Sequence, residues 1–399
     1  MVIGIIGGGA SGMAAALAAA ENPNAKVLVF ERQARVGKKL LATGNGRCNL
    51  SNLHALEGGY HGEEPSFADF ALEKLSPVAT LEWFRSLGLF TVAEDSGRVY
   101  PYSDQANSVV DVLRLALQKE NITLHTSFEV QKIRKQENGF LINDEYFCDK
   151  LIIACGGLAG TKLGGSMAGY KLLAKFGHKS TKLRPNLVQI KCDWHGSAAL
   201  KGVRANCNVK ILRDGETFNE STGELQFTEM GLSGPVIFEI SRDVCYGSGE
   251  WTAKLDLLPA CEEETLLREL MRRKQTALPT EELLTGILHN RLGRVLSKSV
   301  GIPGNGFVKD LSDNSLQELC CAVKMLEIRL TEPLGMDAAQ VTAGGVYTRD
   351  FDPATMESKL VPGLYACGEV LDIDGDCGGY NLQWAWSSGR LAGLNAGKE

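Results

Sequence analysis

Val2-Ile3-Gly4-Ile5-Ile6-Gly7-Gly8-Gly9-Ala10-Ser11-Gly12 is the stretch that decides the fold. An apolar, β-branched run without polar alternation reads as a strand buried on both faces of a parallel sheet. Gly7-x-Gly9-x-x-Gly12 follows at once, and Met13–Ala20 is a strong helix former. Asn22-Pro23-Asn24 stops that helix, and Lys26–Phe30 is a second strand with Glu31 at its end. In such a unit Gly7 makes the tight turn, Gly9 admits a pyrophosphate to the backbone, and Gly12 lets the helix pack close on the sheet. The helix start offers free N–H groups and a partial positive charge to the phosphates, and Ala10 and Ser11 join the candidate cofactor contacts. Glu31 stands nineteen residues past Gly12, where it meets a ribose 2′-OH and repels a 2′-phosphate. Glycine is common here (45 of 399 residues), so the motif alone means little; the strand, the helix and the acid are independent checks. The site is expected to take FAD or NAD rather than NADP.

Working outward, Arg32 and the run Arg35–Asn49 supply cations and glycines just past the second strand. Lys38, Asn45 and Arg47 in this loop are candidate contacts to a pyrophosphate or a flavin edge. Pro65–Gly88 carries a helical pattern, and Gly97–Tyr102 is a turn and strand with two tyrosines. Asn107–Lys119 reads as an amphipathic helix. Ile122–Thr126 and Glu129–Arg134 read as strands, with a hairpin around Glu137-Asn138-Gly139. Val130, in the second of these, joins the candidate cofactor contacts. Asp149–Ala154 is another buried parallel strand, and it ends in Cys155-Gly156-Gly157. Gly156 therefore sits where a cofactor crosses the carboxyl edge of the sheet.

From Val188 the character changes. Val188–Cys192, Ala205–Leu212 and Thr252–Leu257 are short β segments, with a turn at Gly231–Pro235. One helix runs from Glu262-Glu263-Glu264 to Arg272-Arg273-Lys274, matching the macrodipole. Another is expected to start at Thr280, and a third spans Ser312–Lys324. The expected division is a discontinuous nucleotide-binding domain (1–187 and 341–399), a β-rich insertion (188–256 and 325–340) and a helical insertion (257–324).

The chain then returns to its first domain. The apolar strand Leu360–Cys367 ends in Gly368-Glu369, whose acid is suited to a ribityl hydroxyl. Asp376-Cys377-Gly378-Gly379-Tyr380-Asn381-Leu382 opens a helix over Gln383–Asn395. Gly379, Tyr380, Asn381 and Leu382 would place its N-terminus toward a flavin pyrimidine, favouring charge there on reduction. A nicotinamide enzyme needs no such partners, so both ends of the chain point to non-covalent FAD.

Charged residues at 23% and hydrophobic ones at 44% describe an ordinary globular protein. A net charge of −6 with no basic run argues against nucleic acid and anionic membranes. The chain opens directly on its first strand, no apolar run is long enough to span a bilayer, and the eleven cysteines form no CxxC. A cytoplasmic protein with free thiols is expected. The vicinal pair Cys320-Cys321 reads as two small residues on a helix surface.

Several longer motifs resemble one known family: Gly7–Gly12, Gly37–Asn49 (GKKLLATGNGRCN), Gly97–Pro101, Phe227–Pro235 (FTEMGLSGP), Thr342–Val346 and Gly368–Leu382 (GEVLDIDGDCGGYNL). It is the bacterial FAD-binding flavoprotein family that includes aminoacetone oxidase and the flavin-dependent reductase of 3-dehydro bile acids. The resemblance covers nearly the whole chain. It implies an α/β fold: a Rossmann-like FAD-binding domain of the glutathione-reductase type, with a β-rich and a helical insertion. One segment departs from the family pattern: Gly156–Thr161 reads GGLAGT where relatives often carry Ser-Tyr-Pro after the Gly pair.

Cys48 stands alone, so no disulfide-reductase pair is present, and no second GxGxxG provides an NAD(P)H domain. NADH or NADPH is expected to dock transiently as electron donor, or oxygen to accept electrons. The favoured chemistry, implied by the family, is reduction of an activated C=C bond in a 3-oxo bile-acid or steroid-like substrate. Hydride goes from flavin N5 to the β-carbon, and Tyr380, Cys377 or Tyr100 supplies the proton. The insertion offers surface for an apolar pocket. The alternatives are an amine oxidase acting on a small aminoketone such as aminoacetone, and a flavin-holding redox protein without catalysis.

Overall fold

The computed structural model describes residues 1–398. Two compact units divide the chain: Met1–Arg184 with the chain from Ala339 onward, and Pro185–Ala338.

Five parallel strands form the sheet of the first unit, in the order Leu364–Ala366, Lys150–Ile153, Val2–Ile6, Lys26–Phe30, Ile122–His125. Val2–Ile6 is central, with Gly4 opposite both Leu151 and Leu28. Ile3, Ile5, Val27, Val29, Ile152 and Ile153 are wholly buried, as apolar runs covered on both faces require. The helix Ala10–Ala19 follows the first strand, and the C-terminal helix Tyr380–Ala396 lies against it. Their contact explains the small residues. A Cβ on Gly389 would stand 2.4 Å from the Ser11 carbonyl oxygen, and one on Gly393 2.2 Å from that of Ala15. The two backbones touch, and each end of the sequence covers the other.

Most expected elements of this unit are present within a few residues. The amphipathic helix is Ala106–Ala116, and the hairpin turns between Gln136 and Gly139. The strand expected at Glu129–Arg134 lies instead at Ile133–Gln136, after an irregular stretch that buries Val130.

The second unit is built on a closed six-stranded barrel: Ile190–Asp193, Gly231–Ser233, Glu216–Phe227, Arg204–Arg213, Trp251–Asp256, Leu326–Pro333. Three sequence expectations need correction. Glu216–Phe227 is the longest barrel strand and was not anticipated; half of its residues are exposed, and its ladder to Arg204–Arg213 holds it. Gly231–Pro235 is not a simple turn but a short strand leading into the helix Pro235–Tyr246. Pro235 fits its first turn, and Val236, Ile237, Ile240 and Val244 are buried. Thr280–Glu282 is one 3-10 turn, and the helix expected there begins at Asn290.

Glu263–Lys274, Asn290–Ser299 and Asp313–Lys324 are the helices of the segment expected as a separate domain. Leu270, Leu296 and Leu319 share one apolar core with Val209, Leu255 and Ile328 of the barrel, so barrel and helices form one compact unit. Cys320 is fully buried in that core rather than on the helix surface; Cys321 is exposed. Among the described residues no helix is long and apolar enough to cross a membrane.

Candidate active site

The first strand runs into Gly7, whose φ of +111° demands glycine. Its N–H donates to the Phe30 carbonyl at 2.8 Å. A Cβ on Gly7 would lie 2.3 Å from the Ala154 carbonyl oxygen, and one on Gly12 1.9 Å from that of Gly7. Gly9 differs: a Cβ there meets nothing within 4 Å, and the same holds at Gly156, past the end of Lys150–Ile153. Open space therefore borders the carboxyl edge at both turns. The helix begins at Ala10, so its first N–H groups lack intrahelical partners. This is the donor set and the room that a pyrophosphate requires. Ser11 is buried, with its hydroxyl beside Gly368.

Glu31 is tied to this turn. Its Oε2 accepts from the Gly8 N–H and its Oε1 from the Gln33 N–H, both at 2.7 Å. A carboxylate has further acceptor positions, so a ribose hydroxyl can still be met.

The cations expected to face the cofactor are already engaged. Arg32 donates to the Gly164 carbonyl at 2.6 Å, and Lys38 to Gln33 Oε1 at 3.1 Å. Lys39, which sequence reasoning did not single out, pairs with Glu369 at 2.9 Å. The other Glu369 oxygen accepts from the Thr342 N–H at 2.8 Å. Arg47 bonds Asp104, reaches Glu94 at 3.4 Å and lies 4.0 Å above the Tyr100 ring. Backbone N–H groups rather than side-chain cations thus line the turn at Gly9.

The loop over Gly44–Asn49 is fixed in an unusual conformation. Asn45 (φ +56°) and Cys48 (φ +64°) are left-handed non-glycine residues, a state that persists where the surroundings determine it. Opposite lies the turn before the C-terminal helix. Gly379 has φ +105°, and a Cβ there would stand 2.2 Å from the Ser51 carbonyl oxygen. Asn52 donates to the Gly378 carbonyl at 2.9 Å. Asn381 clamps the turn, accepting from the Gly375 N–H at 2.8 Å and donating to the Gly375 carbonyl at 2.7 Å. Tyr60 packs edge-on against the Tyr380 ring and donates to the Tyr380 carbonyl at 3.1 Å. Leu382 packs onto the core. Beneath, the buried Gln383 amide meets Leu75, Thr80, Ser387 and Ser51.

Sequence reasoning also passed over Asn49. Its Oδ1 is buried, lacks a hydrogen-bond partner and lies beside Gly379. A buried acceptor without a donor is costly, and a ligand N–H at this point would satisfy it. Its place in the run GNGRCN was the available signal.

Tyr100 is buried, and burial is the main cause that raises its hydroxyl above the usual tyrosine range; the Cys377 thiol lies near enough to add to this. Burial also pushes Cys48 up to about 11 and both Cys155 and Cys367 up to about 12. These thiols are neutral and poor nucleophiles at physiological pH. Among the described residues no cluster suited to a metal ion is present.

The model of the HI0933-like protein Rossmann domain matches residues 1–395. The chain belongs to this FAD-binding family. As a member it is a flavin-dependent oxidoreductase. It is 40% identical to the 3-dehydro-bile acid delta(4,6)-reductase of Clostridium scindens over 404 residues, 99% of this chain and 98% of that protein. It is 34% identical to the ribosomal RNA dihydrouridine synthase of Escherichia coli over 393 residues, 96% of this chain and 95% of that protein. The crystal structure of 3-ketosteroid delta1-dehydrogenase from Sterolibacterium denitrificans aligns with a TM-score of 0.50 at 12% identity, covering 99% of each chain. That likeness shows the shared fold.

Proposed function

We propose that this chain reduces a carbon–carbon double bond conjugated to a carbonyl, with NADH or NADPH as electron donor and a 3-oxo steroid-like acid as substrate. The observation that carries this reading is the full-length likeness to the bile acid reductase. FAD supplies the hydride chemistry when bound. The Ala10–Gly12 N–H groups and Gly9 would hold its pyrophosphate, Glu31 its adenosine ribose, Glu369 a ribityl hydroxyl, and Asn49 Oδ1 a ring N–H. Overall, hydride and one proton add across the C=C bond as NAD(P)H becomes NAD(P)⁺.

The proton requires an acid that stays protonated at working pH. Tyr100 meets that condition because burial holds its hydroxyl neutral, and the Arg47 guanidinium above its ring fixes its place. Cys377 and Tyr380 stand on the adjoining turn and are the other donors in this proposal.

A second substrate class follows from the Escherichia coli relative. Dihydrouridine is uridine with its C5=C6 bond reduced, and that bond is conjugated to the C4 carbonyl. The reaction class is the same, with RNA in place of a steroid.

Anaerobic incubation with NADH or NADPH and a 3-oxo-4,6-diene bile acid tests the first reading. A product heavier by two hydrogens per reduced bond is expected. Oxygen consumption with aminoacetone, and none of the reduced acid, would instead establish an amine oxidase.

A further inference from the structure

Charge is unevenly distributed along this chain. Between Asp149 and Asp193 lie 43 residues with no Asp or Glu and eight Lys or Arg. The remaining 34 cationic residues face all 48 acidic ones, so the rest of the chain carries −14 and this segment +8. The net charge of −6 conceals that separation.

Within the nucleotide-binding unit the segment includes Lys171, Lys175, Lys179 and Lys182, all exposed. Lys171 and Lys175 lie one turn apart along and just past the helix Ala168–Ala174. Lys175 donates to the Gln131 carbonyl at 3.4 Å, and among the described residues none of the four meets a carboxylate. Cations elsewhere are commonly neutralised, as are Lys132 by Asp144 and Lys201 by Glu229. Tyr347 lies beside Lys179: its N–H donates to the Lys179 carbonyl at 3.0 Å. Its ring is partly exposed and carries the Arg349 guanidinium at 4.0 Å, which also reaches Glu63 at 3.8 Å.

We propose that these four exposed lysines, with Tyr347 beside Lys179, bind the phosphate backbone of RNA. The proposal rests on the RNA reading of the active site for its choice of partner. Four unpaired cations strung along the chain suit a series of phosphates rather than one converging anion site. An aromatic face with an arginine beside it is what an unpaired base stacks on. A membrane surface fits less well. Among the described residues of 150–192, Met167 alone is a large apolar side chain that is exposed, whereas interfacial anchoring uses several.

The test is binding of a labelled single-stranded oligouridylate to the FAD-loaded enzyme across a salt series. Four phosphate contacts predict that affinity falls about 50-fold between roughly 50 and 200 mM salt. K171E/K175E/K179E/K182E is expected to bind at least about tenfold more weakly at low salt, with most of that salt dependence gone. The glutamine quadruple variant should lie between. Flavin content and the thermal melt of each variant report that it is folded. A parent enzyme that fails to bind at low salt, or a quadruple variant with the parent's salt slope, overturns the surface. Binding to phosphatidylserine vesicles but not to the oligonucleotide overturns it as well. Dihydrouridine in the same oligonucleotide is measured separately by mass: RNA that is bound but not reduced breaks the RNA reading of the active site and leaves the surface standing.

Discussion

In the turn after the first strand, a Cβ on Gly12 would land 1.9 Å from a backbone oxygen, while one on Gly9 meets nothing within 4 Å. In the turn before the C-terminal helix no such opening exists at the equivalent glycines: a Cβ on Gly375 would be 2.6 Å from the Tyr380 Cβ, and one on Gly379 2.2 Å from the Ser51 carbonyl oxygen. Both turns are glycine-rich for different reasons. The second is closed by protein alone, which sets the helix Tyr380–Ala396 on Ser51 and Asn52. The first mixes a closed position that serves the fold with an open one that leaves room for a ligand.

Gly12→Ala tests the closed positions and should have the largest effect. It belongs with the rare substitutions costing more than about 4 kcal/mol, read as loss of soluble protein or a much lower melting temperature. A melt matching the parent's would show that the turn yields. Tyr100→Phe comes next. Removing a general acid lowers kcat by about a hundredfold or more, with flavin content and melt unchanged. Burial raises the Tyr100 hydroxyl above the usual tyrosine range, so the parent's acid form persists through about pH 9 and activity should not fall there; a decline within that range would remove Tyr100 as the proton donor.

Glu31→Ala strips the acceptors from the Gly8 and Gln33 N–H groups. It should weaken FAD about ten- to a hundredfold, the worth of charge-assisted bonds at roughly 1.5–3 kcal/mol, and lower the melt of the apoprotein too. Turnover should recover with excess FAD. An unchanged FAD dissociation constant would remove Glu31 from the ribose. Gly9→Val is the smallest effect and the sharpest contrast with Gly12: FAD affinity should fall about tenfold while the apoprotein melts as the parent does. Equal damage to the melt from both variants would erase the distinction between open and closed glycines.

The nucleotide-binding unit was legible because its signals are local. An apolar run, three spaced glycines and an alanine helix each state their geometry within a few residues. Glu216–Phe227 was not legible, since its polar residues carry no periodic pattern and only the ladder to Arg204–Arg213 makes it a strand. Pro235–Tyr246 did carry helical spacing, but the Gly-Pro before it read as a turn. At the site, the positions of Gly9, Gly12 and Glu31 could be read from spacing, whereas the partners of Arg32, Lys38 and Arg47 depend on distant carbonyls and carboxylates. The unpaired lysines escaped for a simpler reason: a net charge averages over the segment that differs.

The most direct test of conjugated C=C reduction is anaerobic stopped-flow of the FAD-loaded enzyme in two stages. NADH or NADPH should first bleach the flavin absorbance. Mixing the reduced enzyme with a 3-oxo-4-ene bile acid should then restore it faster than mixing with aerated buffer. A flavin that stays oxidised with both nicotinamides while aminoacetone bleaches it, or a reduced enzyme that oxygen reoxidises and the enone does not, would contradict the account.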